Sequence, residues 1–103
     1  MDRSKIIKAI KLGNIEWRKH ALERMLERNI SRKEVKETIK YGELIENYET
    51  DTFFESALFF YNNSKAIHVV AGFDNINQII YIITAYRPDT FHFENDLKTR
   101  RTK

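Results

Sequence analysis

The sequence predicts an α+β domain in which N-terminal helices pack on one face of a small antiparallel β-sheet. Two patterns point there. Residues 6–39 place Ile, Leu, Met and Val at three- and four-residue intervals, the period of a half-buried helix. Residues 44–87 instead hold short β-branched and aromatic runs divided by Asn- and Asp-rich turns. Helices first and a strand meander second favour a helical layer on a sheet over alternating βαβ units. At 103 residues, with one Pro and three Gly, the chain is sized for a single core. Residues 1–97 are assigned to one domain and 98–103 to a frayed basic tail.

The first helix opens at Asp2 or Ser4, carries Ile6, Ile7 and Ile10, and closes at Gly13 or Asn14, residues that tolerate a left-handed backbone. Residues 15–18 form a short extended entry. A second helix over residues 19–28 sets Ala21, Leu22, Met25 and Leu26 within one arc, with His20, Arg24, Glu27 and Arg28 opposite. Ser31-Arg32-Lys33-Glu34 is a capping box ahead of Val35 and Ile39, and this third helix ends near Tyr41 with Gly42 at its C-terminus. Strands follow at residues 44–48, 53–61, 66–73 and 78–87. Turns fall at Asn62-Asn63-Ser64 and Asp74-Asn75-Ile76-Asn77, and Pro88 stops the last strand. Phe91-His92-Phe93 adds a short edge segment. Pairing the last two strands with Phe73 opposite Gln78 sets His68 near Ile83 and Val70 near Tyr81. The expected core is Leu22, Met25, Leu26, Val35, Ile39, Leu58, Val70, Ile80 and Ile82. Leu26→Ala is expected to cost about 2–5 kcal/mol.

The net charge of +3 hides a division. Residues 1–40 carry +6 and residues 97–103 carry +4, whereas residues 41–96 carry −7 and hold two cations, Lys65 and Arg87. A basic part suits phosphates and an acidic part repels them. The absence of Cys leaves no disulfide or thiolate metal site and fits a cytoplasmic protein; with three His, no metal and no cofactor are assigned. No apolar run nears the ~18–20 residues of a membrane span, and lysines interrupt residues 1–14 too often for a leader peptide. Phosphate-loop, dinucleotide, zinc-peptidase and serine-nucleophile motifs are absent.

Several residues can carry chemistry. His20, Arg24 and Arg28 recur every four residues along one helix face. A groove beside them can hold a phosphate while the imidazole moves a proton; the plainer account is a solvated face with Glu23 and Glu27 as partners. His68, inside Ile67-His68-Val69-Val70, is either a catalytic imidazole or a core histidine bonded to backbone or Tyr81. Tyr86 and Arg87 end the longest strand, where a sheet presents side chains to a cleft; Arg87 alternatively pairs with Glu43 or Asp89. His92 between two phenylalanines reads as core-edge packing. Phe53, Phe54, Phe59, Phe60 and Tyr61 can stack bases, although a packed sheet explains them more cheaply.

Lys19-His20-Ala21-Leu22-Glu23-Arg24-Met25-Leu26-Glu27-Arg28-Asn29-Ile30-Ser31 is followed in order by Gly42-Glu43-Leu44-Ile45-Glu46, His68-Val69-Val70 and Ile82-Ile83-Thr84-Ala85-Tyr86-Arg87-Pro88-Asp89. Over about residues 17–90 this resembles the signature of the domain-of-unknown-function 4258 family. The resemblance implies a RelE/ParE-like fold and the toxin half of a type II toxin–antitoxin pair, a metal-independent ribonuclease acting on mRNA, free or ribosome-bound, with a cognate antitoxin as partner. In that chemistry a base takes the ribose 2′-OH proton, the oxygen attacks phosphorus, and an acid protonates the leaving 5′-oxygen. His20 or His68 would serve as base and acid, Arg24, Arg28 and Arg87 as phosphate clamps, and Tyr86 as proton donor or base-stacking group. The acidic sheet half and the lack of a Lys/Arg cluster on the last strand depart from the superfamily's active ribonucleases. Two alternatives remain open: a non-catalytic module in an antitoxin or nucleic-acid complex, and a gyrase-directed ParE-like toxin.

Overall fold

A computed structural model of the chain describes residues 2–48 and 54–102. In order, the elements are α1 (Arg3–Lys11), β1 (Ile15–Trp17), α2 (Lys19–Glu27), α3 (Arg32–Tyr41), β2 (Glu43–Tyr48), β3 (Phe54–Asn63), β4 (Lys65–Asp74) and β5 (Ile79–Tyr86). The strands form one sheet in the order β1-β5-β4-β3-β2. From β2 to β5 it is an antiparallel meander. The residues read as an extended entry are in fact a fifth strand: β1 pairs parallel with β5. The sheet is therefore mixed, not purely antiparallel. Parallel pairing needs a long connection, and here the chain between β1 and β5 includes two helices and the whole meander.

Local chemistry places the helix ends where the sequence indicates. The Asp2 carboxylate accepts from the Ser4 and Lys5 amides, and Gly13 adopts φ +76° just past α1. Both halves of the Ser31–Glu34 capping box are formed. Arg3 then ties two helices together, donating from Nη2 to the carbonyls of Ile39 (2.9 Å), Lys40 (3.3 Å) and Gly42 (3.1 Å). Gly42 itself is extended. Its glycine is required by space: a Cβ there would lie 2.3 Å from the Thr38 carbonyl oxygen and 2.4 Å from that of Phe60.

The main core lies between the helices and the sheet. Ile6, Ile10, Met25, Val35 and Ile39 meet Phe59, Val69, Phe73, Ile80 and Ile82. Leu26 is not part of it and is 84% exposed, a correction to the expected core. At 100° per residue the Ala21–Leu26 arc is about 140° wide. A short helix lying flat on β5 buries a narrower stripe, so Ala21 and Met25 are covered, Leu22 is half-covered and Leu26 is not. Ile30 supplies the burial instead, turned inward after Asn29 (φ +56°) by its amide bond to the Met25 carbonyl.

The β4–β5 register also differs from expectation. Phe73 faces Ile80, and Ile83 is bulged between the Val70–Thr84 and Ala71–Ile82 pairs. His68 consequently faces Tyr86, not Ile83. The turn spans residues 75–78, one position later than expected, and is held by Asp74, which accepts from the Ile76 amide (2.9 Å) and from Asn77 at both its amide (3.1 Å) and its side chain (2.8 Å). These bonds, the Asn77 ones first, hold the Asp74 carboxyl below the usual carboxylate range.

The C-terminal segment is docked, not frayed. It crosses the sheet face opposite the helices, where Phe93 is buried and bridges Arg100. Arg100 pairs with Glu46 at 2.8 Å and Lys98 with Glu43 at 3.5 Å, so the basic tail meets the acidic strand β2. Val70, on this second face, is half-buried. Phe53 lies outside the described residues. No described helix is long and apolar enough to cross a membrane.

Candidate anion-binding cleft at the end of β5

Where β5 ends, the chain turns through Pro88 into the docked C-terminal segment and leaves an open cleft of about 630 Å³. Its walls come from the C-terminal cap of α2 (Arg28), from the end of β5 and the turn after it (Tyr86, Arg87, Pro88, Asp89), and from the C-terminal segment (His92, Phe93, Arg100). Three guanidinium groups thus converge from parts of the chain far apart in sequence.

Each arginine is held in place. Arg28 Nη1 donates to the Ala85 carbonyl at 2.7 Å, joining α2 to β5. Arg87 Nη2 donates to Glu34 at 2.8 Å. Glu34 is also the capping-box acid of α3: burial pushes its carboxyl up, but the Arg87 and Ser31 bonds more than offset this and hold it low. Arg100 Nε donates to Glu46, which also accepts from the Tyr48 hydroxyl. The bonds to Glu46 and Tyr48 press Arg100 further towards its charged form.

Beneath Tyr86 lies His68, fully buried. Its Nε2 is 2.6 Å from the Leu97 carbonyl, which only accepts, so Nε2 carries the hydrogen. Nδ1 is then free to accept from the Tyr86 hydroxyl at 3.2 Å. Phe60 and Phe93 stand edge-on to the ring, with centroids at 5.8 and 4.6 Å. Burial pushes this imidazole below its ordinary value, against the upward pull of the Leu97 bond and Glu46. Burial likewise pushes the Tyr86 phenol up. Near neutral pH the pair is a neutral imidazole orienting a neutral phenol.

At the other wall, His92 Nδ1 lies 2.9 Å from Asp89 Oδ1. Asp89 also accepts from the Phe91 and His92 amides at 3.0 and 3.1 Å, and the His92 bond leads in holding its carboxyl low. With Nδ1 donating to Asp89, Nε2 of His92 is the nitrogen left to accept a proton. His92 is mostly exposed, not core-edge packing.

The predicted site residues are therefore divided. Tyr86, Arg87 and Arg28 line the cleft; His68 supports it from below. His20 and Arg24 do not line it: His20 projects from α2, 3.7 Å from Glu23, and Arg24 pairs with Glu27 at 3.2 Å. His20 and His68 do not meet in the cleft. Sequence reasoning missed Asp89, His92 and Arg100. The three-residue spacing of Asp89 and His92 after a strand-ending proline was a readable signal for a local turn; nothing local marked Arg100. Among the described residues no three His, Asp or Glu side chains gather that could hold a metal ion.

No curated protein and no solved structure matches the chain. A family model does match residues 17–87, the stretch from the end of β1 to Arg87, which includes α2, His68 and the β5 side of the cleft. That is well over half of the 103 residues, and the chain belongs to the family described as Domain of unknown function (DUF4258).

Proposed function

We propose that the chain is a metal-independent endoribonuclease with a RelE/ParE-like fold, the toxin half of a type II toxin–antitoxin pair, acting on cytoplasmic mRNA and held in check by a cognate antitoxin. One observation carries this reading: Arg28, Arg87 and Arg100 converge on a cleft that also contains Tyr86 and the His92–Asp89 pair. In-line cleavage of RNA needs these three kinds of group. The arginines neutralise charge growing on the phosphorane oxygens. Tyr86, its hydroxyl tied to His68, presents its ring to the cleft as a surface on which a base of the RNA stacks. His92 Nε2 takes the 2′-OH proton as the 2′-oxygen bonds to phosphorus, and as the P–O5′ bond breaks on the opposite side the leaving 5′-oxygen takes a proton from water. Asp89 steadies the imidazolium. His68 is a positioning residue, and His20 has no part in the step.

The test is cleavage of RNA by purified protein in chelator, with and without ribosomes, each variant checked for folding by circular dichroism. Wild type is expected to cleave. His92→Ala is expected to be about 10²–10⁴-fold slower, and His20→Ala as fast as wild type. A second reading is favoured by the partners already present: Arg87 and Arg100 each hold a carboxylate, so the cleft also suits a non-catalytic module that binds an anionic partner. Folded wild-type protein that cleaves nothing in either condition selects this second reading.

A further inference from the structure

Beside the cleft lies a second depression of about 380 Å³, lined by Arg28, Asn29, Lys65, Ala66, Arg87 and Pro88. It shares Arg28, Arg87 and Pro88 with the cleft, so the two arginines form a ridge between adjoining hollows. The new member is Lys65. Residues 41–96 contain two cations against nine acids, and the fold brings both cations, Lys65 and Arg87, to this one depression. The β3–β4 hairpin does this: Ser64 (φ +76°) turns the chain tightly, and Asn63–Lys65 is its last pair. Arg87 Nη1 reaches across to the Ala66 carbonyl at 3.5 Å, tying the end of β5 to the start of β4.

Electrostatically the depression differs from the cleft. Its lining contains no acid, whereas the cleft contains Asp89. Lys65 is exposed and forms no ion pair with any described residue. Of the three cations on this hollow only Arg87 has a carboxylate partner among the described residues; Arg28 and Lys65 have none, and they repel each other without an anion between them. We infer that Arg28, Lys65 and Arg87 form a second phosphate subsite, which takes the phosphodiester next to the one held in the cleft when single-stranded RNA lies across the arginine ridge. This rests on the proposed reading of the cleft as an RNA site. Lys65, a compact point charge on a flexible stem, suits a phosphate that is held but not reacting.

The experiment measures binding of uncleavable 2′-O-methyl RNA, two and eight nucleotides long, across a salt series, to wild type, Lys65→Ala and Lys65→Arg. The subsite predicts that Lys65→Ala binds the eight-nucleotide strand roughly three- to tenfold more weakly and lowers the salt slope by about 0.7, the loss of one single-strand phosphate contact. Lys65→Arg should restore both, and the dinucleotide should not distinguish the three proteins. Unchanged affinity and slope in Lys65→Ala overturn the subsite. Lys65-dependent binding of a polyglutamate peptide with no binding of RNA overturns it too, assigning the hollow to a protein partner. Lys65-dependent RNA binding by a wild type that cleaves no RNA sustains the subsite and removes the nuclease reading.

Discussion

The two faces of the sheet are built from the same strands but by different means. The helical face is closed by aliphatic side chains and Met25 from α1, α2 and α3, packed on strand residues that include Phe59, Val69 and Phe73. Among the described residues no helix lies over the opposite face. It is covered by the C-terminal segment, and at its centre is a buried histidine bonded to a tyrosine hydroxyl and a backbone carbonyl. Burial of apolar area is non-directional and tolerates many packings, whereas a buried polar group is stable only with its partners in place. The first face therefore holds the fold together. The second specifies the position of Tyr86, and with it one wall of the cleft.

That contrast can be broken by experiment. Phe59→Ala on the helical face is expected to destabilise most, by about 3–5 kcal/mol in urea unfolding, because it removes a large side chain from a closed core. His68→Leu should cost less, about 1–3 kcal/mol, since apolar volume is kept while the Leu97 carbonyl and Tyr86 hydroxyl lose their partner. Equal losses at the two positions would erase the distinction between the faces.

His68 also gives the second face a pH signature. Its ordinary value is 6.5, and burial lowers it in the folded protein. As pH falls below about 6.5 the unfolded chain takes up a proton that the folded one still refuses, so unfolding is favoured. Stability from this source is complete above the unfolded value and declines on acidification towards the folded one. Melting temperatures measured across this range should fall in wild type and stay flatter in His68→Leu; parallel profiles would place the acid sensitivity elsewhere.

Smaller effects sharpen the picture. Arg87 and Glu34 join the end of β5 to α3, but both are partly solvent-exposed, at 28% and 37%. A double-mutant cycle should give a coupling of no more than about 1 kcal/mol, so that the pair positions Arg87 more than it stabilises the fold. Leu26→Ala should shift stability by no more than about 0.5 kcal/mol, since the side chain stands in solvent on α2. A loss of 2 kcal/mol or more at Leu26 (about the cost of emptying a core site) would show that α2 packs differently.

Local signals in the sequence were reliable where the physics is local. The Asp2 cap, the Ser31–Glu34 box and the stop at Pro88 each depend on a few consecutive residues, and each is where the sequence puts it. Helical periodicity found Met25, Val35 and Ile39, and failed at Leu26, because periodicity gives the apolar arc but not the width of the surface that covers it. Alternation found the strands but not their register. A turn displaced by one residue, which moves the partner of Phe73 from Gln78 to Ile80, and a bulge at Ile83 moved His68 from Ile83 to Tyr86.

What the sequence by itself determined is therefore the three helices and the four meander strands, their order, which makes an α+β layer, and the division of charge between a basic first part, an acidic middle and a basic end. What only the tertiary structure decided is which of those charges meet. β1 joins the sheet edge through pairing with a strand more than sixty residues later. The basic tail docks because Glu43 and Glu46 lie on the strand it crosses. Arg28, Arg87 and Arg100 share a cleft, and His20 and Arg24 do not, because Arg28 at the C-terminal cap of α2 reaches the Ala85 carbonyl while His20 and Arg24 face the acids of their own helix. Such contacts depend on closing long loops around a common core. Their positions follow from the summed packing of all the elements and leave no mark at the spacing of a few residues.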